Sequence, residues 1–218
     1  MTIRVLLVDD QALVRSGFRM LIESSDGIDI VGEAENGAQA LDIMADTQVD
    51  VVLMDIRMPV MDGVEATKRI VESGSDAHVL VLTTFDADEY VYAALRAGAS
   101  GFLLKDSRPD ELLQAIRSVA NGDAVMAPSA TRRLLDHVVP LLPTSSGRVD
   151  SRLDVLTDRE REVLVEIAKG ATNAEISTTL YMAEGTVKTH IGRLFAKLHA
   201  RDRVQLVLIA YETELVKP

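Results

Sequence analysis

The chain has 218 residues and a net charge of −11; 47% of its residues are apolar, 26% are charged and none is cysteine. These are globular proportions, enough for one large domain or two small ones, and the lack of cysteine excludes disulfides, thiolate zinc sites, iron–sulfur clusters and cysteine nucleophiles. No apolar run approaches the ~18 residues that a membrane helix needs. The N-terminus enters an apolar strand with no basic segment or cleavage site before it, so a cytoplasmic protein without signal peptide or membrane partner is expected.

Charge is unevenly spread. Residues 1–120 carry 10 Lys+Arg against 21 Asp+Glu, whereas residues 151–218 carry 10 of each. Between 186 and 203 stand Lys188, Arg193, Lys197, Arg201 and Arg203 against Asp202 alone, a local charge of +4 and a candidate phosphate footprint.

Five β-branched runs come at Ile3–Val8, Ile28–Gly32, Val49–Met54, His78–Thr83 and Gly101–Leu104. Segments with helical spacing separate them, such as Leu13, Phe18, Leu21 and Ile22. The alternation predicts an α/β domain, a doubly wound parallel sheet of five strands with both faces covered. After Gly122 the composition shifts. Ser129 to Val139 can form one short helix, and Pro140 to Arg152 reads as a flexible linker. Thr157-Asp158-Arg159-Glu160 is a capping box opening a helix that stops at Gly170, and Thr172-Asn173-Ala174-Glu175 opens a second. A third helix is expected from Glu184 to Leu198 and a fourth from Asp202 to Glu214. The expected organisation is thus an α/β domain over 1–121, a linker over 122–152 and a smaller all-α, four-helix domain over 153–218.

Ligands of open parallel sheets sit outside the carboxyl ends of the strands. The polar residues there are Asp9 and Asp10 after strand one, Asp55 on strand three, Thr83 and Thr84 on strand four and Lys105 on strand five. Hard carboxylate oxygens suit Mg²⁺; a carboxylate can attack phosphorus; a lysine and a cation can neutralise a transferring phosphoryl group. Asp9-Asp10-Gln11-Ala12 stands where a Gly-rich phosphate loop would be, which argues against a nucleotide site. The plain alternative is solvated strand-end charge. Met54, Met58 and Met61 are expected to pack in core or loop.

Asp9-Asp10, Asp55 within Asp55-Ile56-Arg57-Met58-Pro59-Val60-Met61-Asp62-Gly63, Thr83 and Lys105 together resemble the receiver domain of bacterial two-component response regulators, over residues 3–121. The resemblance implies a flavodoxin-like fold with Asp55 as phosphoacceptor. It implies Mg²⁺ held by Asp10 and Asp55, with Asp9 assisting and the Arg57 backbone carbonyl completing the protein ligands. It implies Lys105 pairing with the phosphate, Thr83 moving toward it and Phe102 turning inward behind Thr83. The sequence departs from many receivers at Phe102, where a Tyr is common, at Asp106, where a Pro often follows the lysine, and at Thr84, where smaller residues are common.

On the third C-terminal helix Val187, Ile191, Leu194 and Leu198 form a core stripe, with Phe195 beside it. Thr189, Gly192, Arg193 and Ala196 lie opposite, flanked by Lys188 and Lys197. The tight turn before it makes a helix-turn-helix arrangement suited to phosphates or guanine edges; a basic face on a purely structural helix is the alternative. Leu156 to Leu164, Ala168-Lys169-Gly170, Asn173 to Ile176 and Gly185 to Ile191 together resemble the LuxR-type helix-turn-helix over 153–214. The combined layout is similar to the NarL/FixJ class. It implies Lys188, Thr189 and Arg193 facing double-stranded DNA, Thr186 and His190 on its backbone, and a dimer surface of Val204, Leu208 and Tyr211. Ala183 stands where that family has a capping Ser, and Gly185 and Gly192 lower helix propensity, so a marginal recognition helix is expected.

The implied function is a regulator phosphorylated by a sensor histidine kinase, acting as a homodimer on an inverted-repeat operator, and not an enzyme. Three alternatives stay open: an orphan regulator of this architecture controlled without phosphorylation, a ligand-sensing LuxR-type regulator, and an Mg²⁺-dependent hydrolase with an Asp nucleophile.

Overall fold

A computed structural model describes residues 2–83, 88–120 and 151–216, with backbone alone at 88, 89, 91 and 151. The chain divides into two compact units, Met1–Val125 and Met126–Pro218.

The first unit runs β1 (Ile3–Val8), α1 (Ala12–Glu23), β2 (Ile28–Ala34), α2 (Gly37–Asp46), β3 (Val51–Asp55), α3 (Gly63–Glu72), β4 (His78–Thr83), α4 (Asp88–Arg96), β5 (Gly101–Leu104) and α5 (Pro109–Ala120). All neighbouring strands are parallel, in the order β2-β1-β3-β4-β5. This is the flavodoxin-like order. Val5 and Leu7 of β1 pack with Ile22 of α1 and Leu112 and Ile116 of α5 on one face. Leu6, Val52 and Met54, equally buried, alternate to the other face, where α2, α3 and α4 lie side by side. The helices that follow β1 and β3 therefore leave on opposite faces, and the parting opens a crevice above the ends of these two strands.

Two strands, β2 and β3, differ in their limits from the sequence expectation. β2 continues to Ala34 because its register slips between Val5 and Leu6, a bulge that adds a residue to β2. β3 begins at Val51, because Asp50 turns its carboxylate to the backbone N–H of Arg4 (2.8 Å) and to its guanidinium (2.6 Å).

The described residues of the second unit are helical. A short 3₁₀ turn (Ser151–Val155) precedes α6 (Asp158–Ala168), α7 (Asn173–Thr179), α8 (Glu184–Leu198) and α9 (Arg203–Glu212). Both expected capping boxes form, Thr157 with Glu160 and Thr172 with Glu175. α6 stops at Gly170, whose φ of 83° lets the N–H groups of Gly170 and Ala171 turn back to the carbonyls of Ile167 and Glu166. Val163, Leu164, Ile167, Ile176, Val187 and Leu194 fill the interior.

The helix expected over 129–139 and most of the expected linker lie outside the described residues, as does Thr84. Ser151 and Arg152, expected at the linker's end, belong instead to the 3₁₀ turn, where Arg152 pairs with Glu212 at 3.2 Å. Among the described residues no peptide bond is cis, including that between Lys105 and Asp106.

Candidate functional sites

The crevice gathers every polar residue expected at the described strand ends. Asp9 and Asp55 are buried and Asp10 is exposed, yet one carboxylate oxygen from each lies within 4.8 Å of the others. Lys105 follows β5 and reaches across, its Nζ 2.6 Å from Asp9 Oδ2 and 2.9 Å from Asp55 Oδ2. Backbone groups fix the remaining oxygens: the Gln11 N–H donates to Asp9 Oδ1 (2.9 Å) and the Ile56 N–H to Asp55 Oδ1 (2.8 Å). Thr83 is buried at the end of β4, where its carbonyl accepts the Lys105 N–H at 2.8 Å. Phe102, half-buried, sits opposite Val81 in the sheet register.

These groups electrostatically oppose one another. Burial raises the Asp55 pKa above the usual carboxylate range, while Lys105 pulls it down less strongly. Burial works to lower the Lys105 pKa, but hydrogen bonds to Asp9 and Asp55 outweigh it and hold the ammonium above its ordinary value. Three carboxylates against one ammonium leave an excess of negative charge that a divalent cation would balance. The donors are all hard oxygens, a set that fits Mg²⁺. The cleft lined by Asp10, Gln11, Asp55, Ile56, Arg57, Thr83 and Lys105 has a volume of about 120 Å³. That is well under the roughly 300–1,000 Å³ of pockets for organic ligands.

The loop between β3 and α3 shapes this cleft. The Met61 N–H bonds Pro59 O at 2.8 Å around Val60, whose φ is 69°. Gly63 then donates to Ile56 O at 2.8 Å, and its bare α-carbon lets α3 start against β3. Met54 is core, and Met61 packs against Gly37, as expected.

In the second unit α8 places Val187, Ile191, Leu194 and Leu198 inward. Thr186, Lys188, Thr189 and Arg193 stand exposed, and His190 is half-buried with Nδ1 turned inward. Thr189 Oγ1 donates to the Gly185 carbonyl at 3.0 Å. Among the described residues neither Lys188 nor Arg193 has an ion pair.

Two other cations of the basic cluster are engaged within the fold. Lys197 is committed to Glu160 at 2.7 Å, and with the Thr157 N–H it holds that carboxyl well down, at about 2. Arg203 donates to Asn173 Oδ1 (3.0 Å) and to the Ala171 carbonyl, tying α9 to the turn before α7. Burial pulls its guanidinium down to about 10. The expected dimer surface also needs correction. Val204 and Leu208 are 0% and 4% exposed, buried like the other apolar residues of α9. Only Tyr211 of the three is half-exposed, its hydroxyl 3.5 Å from Ala168 O.

Sequence reasoning passed over Arg15, which contacts the acidic loop from α1, and Tyr181, which is fully exposed in the turn before α8. Arg15 left a signal: it falls one heptad before Ile22 on the buried line of α1.

A flavodoxin-like sheet with this acidic cleft at its carboxyl rim defines the receiver class. A family model of the response regulator receiver domain matches residues 5–117, and a model of bacterial regulatory proteins of the luxR family matches 154–210. The chain is 39% identical over 215 residues to the transcriptional regulatory protein YxjL of Bacillus subtilis, covering 99% of this chain and 98% of that one. It is 38% identical over 206 residues to the nitrate/nitrite response regulator NarP of Escherichia coli, covering 94% and 93%. The crystal structure of the response regulator ChrA of a heme-sensing two-component system aligns with a TM-score of 0.53 at 32% identity, over 99% of both chains. The chain belongs to the NarL/FixJ class of response regulators, transcriptional regulators that join a receiver to a LuxR-type DNA-binding domain.

Proposed function

We propose that this regulator is switched by phosphorylation of Asp55, with a sensor histidine kinase as donor, and that it binds DNA as a homodimer in the cytoplasm. In this reading 1–121 is the receiver, 122–152 the linker and 153–218 the DNA-binding domain. A carboxylate oxygen of Asp55 attacks the phosphorus of a phosphohistidine; the P–O bond forms, the P–N bond breaks, and its electron pair returns to the imidazole. Its place supports this role: Asp55 is buried, with one oxygen on Lys105 and the other on the Ile56 N–H. Lys105 stands ready to receive a phosphoryl oxygen. Asp9, Asp10, Asp55 and the Arg57 carbonyl would hold Mg²⁺, which supplies charge neutralisation for the transferring group.

Thr83 then hydrogen-bonds the phosphoryl group and Phe102 moves inward behind it, so phosphorylation biases two receiver states. Phe102 has no hydroxyl, and its contribution is packing alone. In the active dimer Lys188, Thr189 and Arg193 of each α8 enter successive major grooves of an inverted repeat, with Thr186 and His190 on the backbone. No separate substrate is turned over, and the protein is a regulator and not an enzyme.

The observation that carries this reading is Asp55 at the end of β3, within 2.9 Å of Lys105 and beside two further carboxylates. It is tested by intact mass after incubation with Mg²⁺ and acetyl phosphate. One phosphoryl adduct on the wild-type protein, absent from Asp55→Asn, is expected. No adduct on either protein overturns it in favour of regulation without phosphorylation.

A further inference from the structure

We infer that Arg15 is a positioning residue for the cation site, acting through the peptide that joins Asp9 to Asp10. The inference rests on the reading that Asp9, Asp10 and Asp55 hold Mg²⁺.

The three carboxylates are not held alike. Asp9 is fixed by Lys105 and the Gln11 N–H, and Asp55 by Lys105 and the Ile56 N–H. Asp10 makes no side-chain hydrogen bond or ion pair among the described residues and is exposed. Its carboxylate nevertheless lies within 4.8 Å of the other two. Its place therefore comes from its backbone.

That backbone lies just past the end of the sheet. The Asp9 N–H still donates to Ala34 O at 3.1 Å, but β1 ends at Val8. The Asp9 carbonyl is taken by Arg15 Nη1 at 2.6 Å, in a buried bond. This carbonyl belongs to the Asp9–Asp10 peptide plane. Rotating that plane swings the Cα–Cβ direction of Asp10 away from the cluster.

Arg15 can hold the plane because it is itself anchored. It is 8% exposed on α1. Its Nε donates to Glu33 Oε2 at 3.3 Å and its Nη2 to Glu35 Oε1 at 3.1 Å. Glu33 lies on β2, and Glu35 is steadied by its own N–H bond to Gln39 Oε1 at 2.9 Å. A buried guanidinium needs such partners. Here they leave its third edge aimed at one peptide of the acidic loop. The planar fork can bond in three directions at once, which a point-charge ammonium does less well. Groups that orient metal ligands from behind are typically worth roughly 10–100-fold in metal affinity.

The test is calorimetric titration of the full chain with Mg²⁺, alongside thermal unfolding without Mg²⁺, for the wild type, Arg15→Met and Arg15→Lys. Arg15→Met is expected to weaken Mg²⁺ binding about 10-fold or more while still unfolding cooperatively. Arg15→Lys keeps a donor for the Asp9 carbonyl but loses the fork to Glu33 and Glu35. It is expected to bind Mg²⁺ more tightly than Arg15→Met but less tightly than the wild type, while melting below the wild type. A residue that only packs the fold would lower the melting temperature and leave Mg²⁺ affinity unchanged, and that result in Arg15→Met overturns the inference. If Arg15→Met does not fold, Arg15→Gln, polar but too short to reach Asp9 O, replaces it with the same two outcomes. A wild-type protein that binds no Mg²⁺ sinks the cation reading, and this inference with it. A wild type and an Arg15→Met that bind Mg²⁺ equally sink the inference alone.

Discussion

Gly63 lies so close to Asp55 that a Cβ built on its α-carbon would stand 2.1 Å from the Asp55 carbonyl oxygen. The atom it would strike is backbone, which cannot swing aside as a side chain can. The first residue of α3 thus sets how near that helix comes to the end of β3, and so how the Asp55 side chain is presented. Gly63→Ala is expected to destabilise the receiver unit by ~1–3 kcal/mol, as overpacking does. It should also slow acetyl phosphate labelling of Asp55 in whatever fraction stays folded. Urea unfolding and intact mass read the two effects separately.

Acid should weaken the second unit through Glu160. Its pKa falls from 4.5 to about 2 on folding, held there by Lys197 and by the Thr157 N–H. A carboxylate with a depressed folded-state pKa adds stability above its unfolded value and loses it as pH falls through the folded one. The contribution is therefore full above pH 4.5 and fades toward pH 2. Lys197→Met should flatten that dependence and cost about 1–3 kcal/mol. This is less than the ~3–5 kcal/mol for breaking a fully buried pair, since Lys197 is partly exposed. Circular dichroism of the full chain across this pH range checks both statements.

DNA affinity should separate the free cations of α8 from the committed one. Lys188→Ala and Arg193→Ala are each expected to weaken binding by about 1–3 kcal/mol. Where the lost contact is to a phosphate, the salt dependence of log K falls by roughly 1. Lys197→Met should leave that slope unchanged, because its ammonium is bound to Glu160. Fluorescence anisotropy on a duplex selected from a random library, run over a salt series, makes the measurement.

The start of α8 has room for improvement. Its N-cap, Ala183, supplies no side-chain hydrogen bond, and nothing lies within 4 Å of a Cβ placed on Gly185. Ala183→Ser should stabilise the helix by ~1 kcal/mol through a restored cap. Gly185→Ala should add ~1 kcal/mol by propensity. Denaturant midpoints followed by circular dichroism test both, and unchanged midpoints would show that the helix end is already held by its packing.

What the sequence determined by itself was periodic and local. Val5 to Val8 and Val51 to Met54 read as strands buried on both faces because no polar residue interrupts them. The boxes at Thr157 and Thr172 announced two helix starts through four-residue patterns that close their own hydrogen bonds. The gathering of Asp9, Asp55, Thr83 and Lys105 was legible as well, since parallel strands bring their carboxyl ends to one rim whatever separates them in sequence. Tertiary structure alone decided which partner each charge takes. Lys188 and Lys197 look alike on a helical wheel, but only Lys197 meets Glu160 from another helix. Arg203 counts as a cation in the sequence and serves as a buried tie between elements. Val204 and Leu208 could be exposed or covered by spacing alone, and they are covered. Arg15 fell on an apolar line, yet its purpose depends on a carbonyl just past β1 and on carboxylates at and just past the end of β2. Period and capping are set by neighbours along the chain, whereas a charge or an apolar face is satisfied by whatever the fold places beside it.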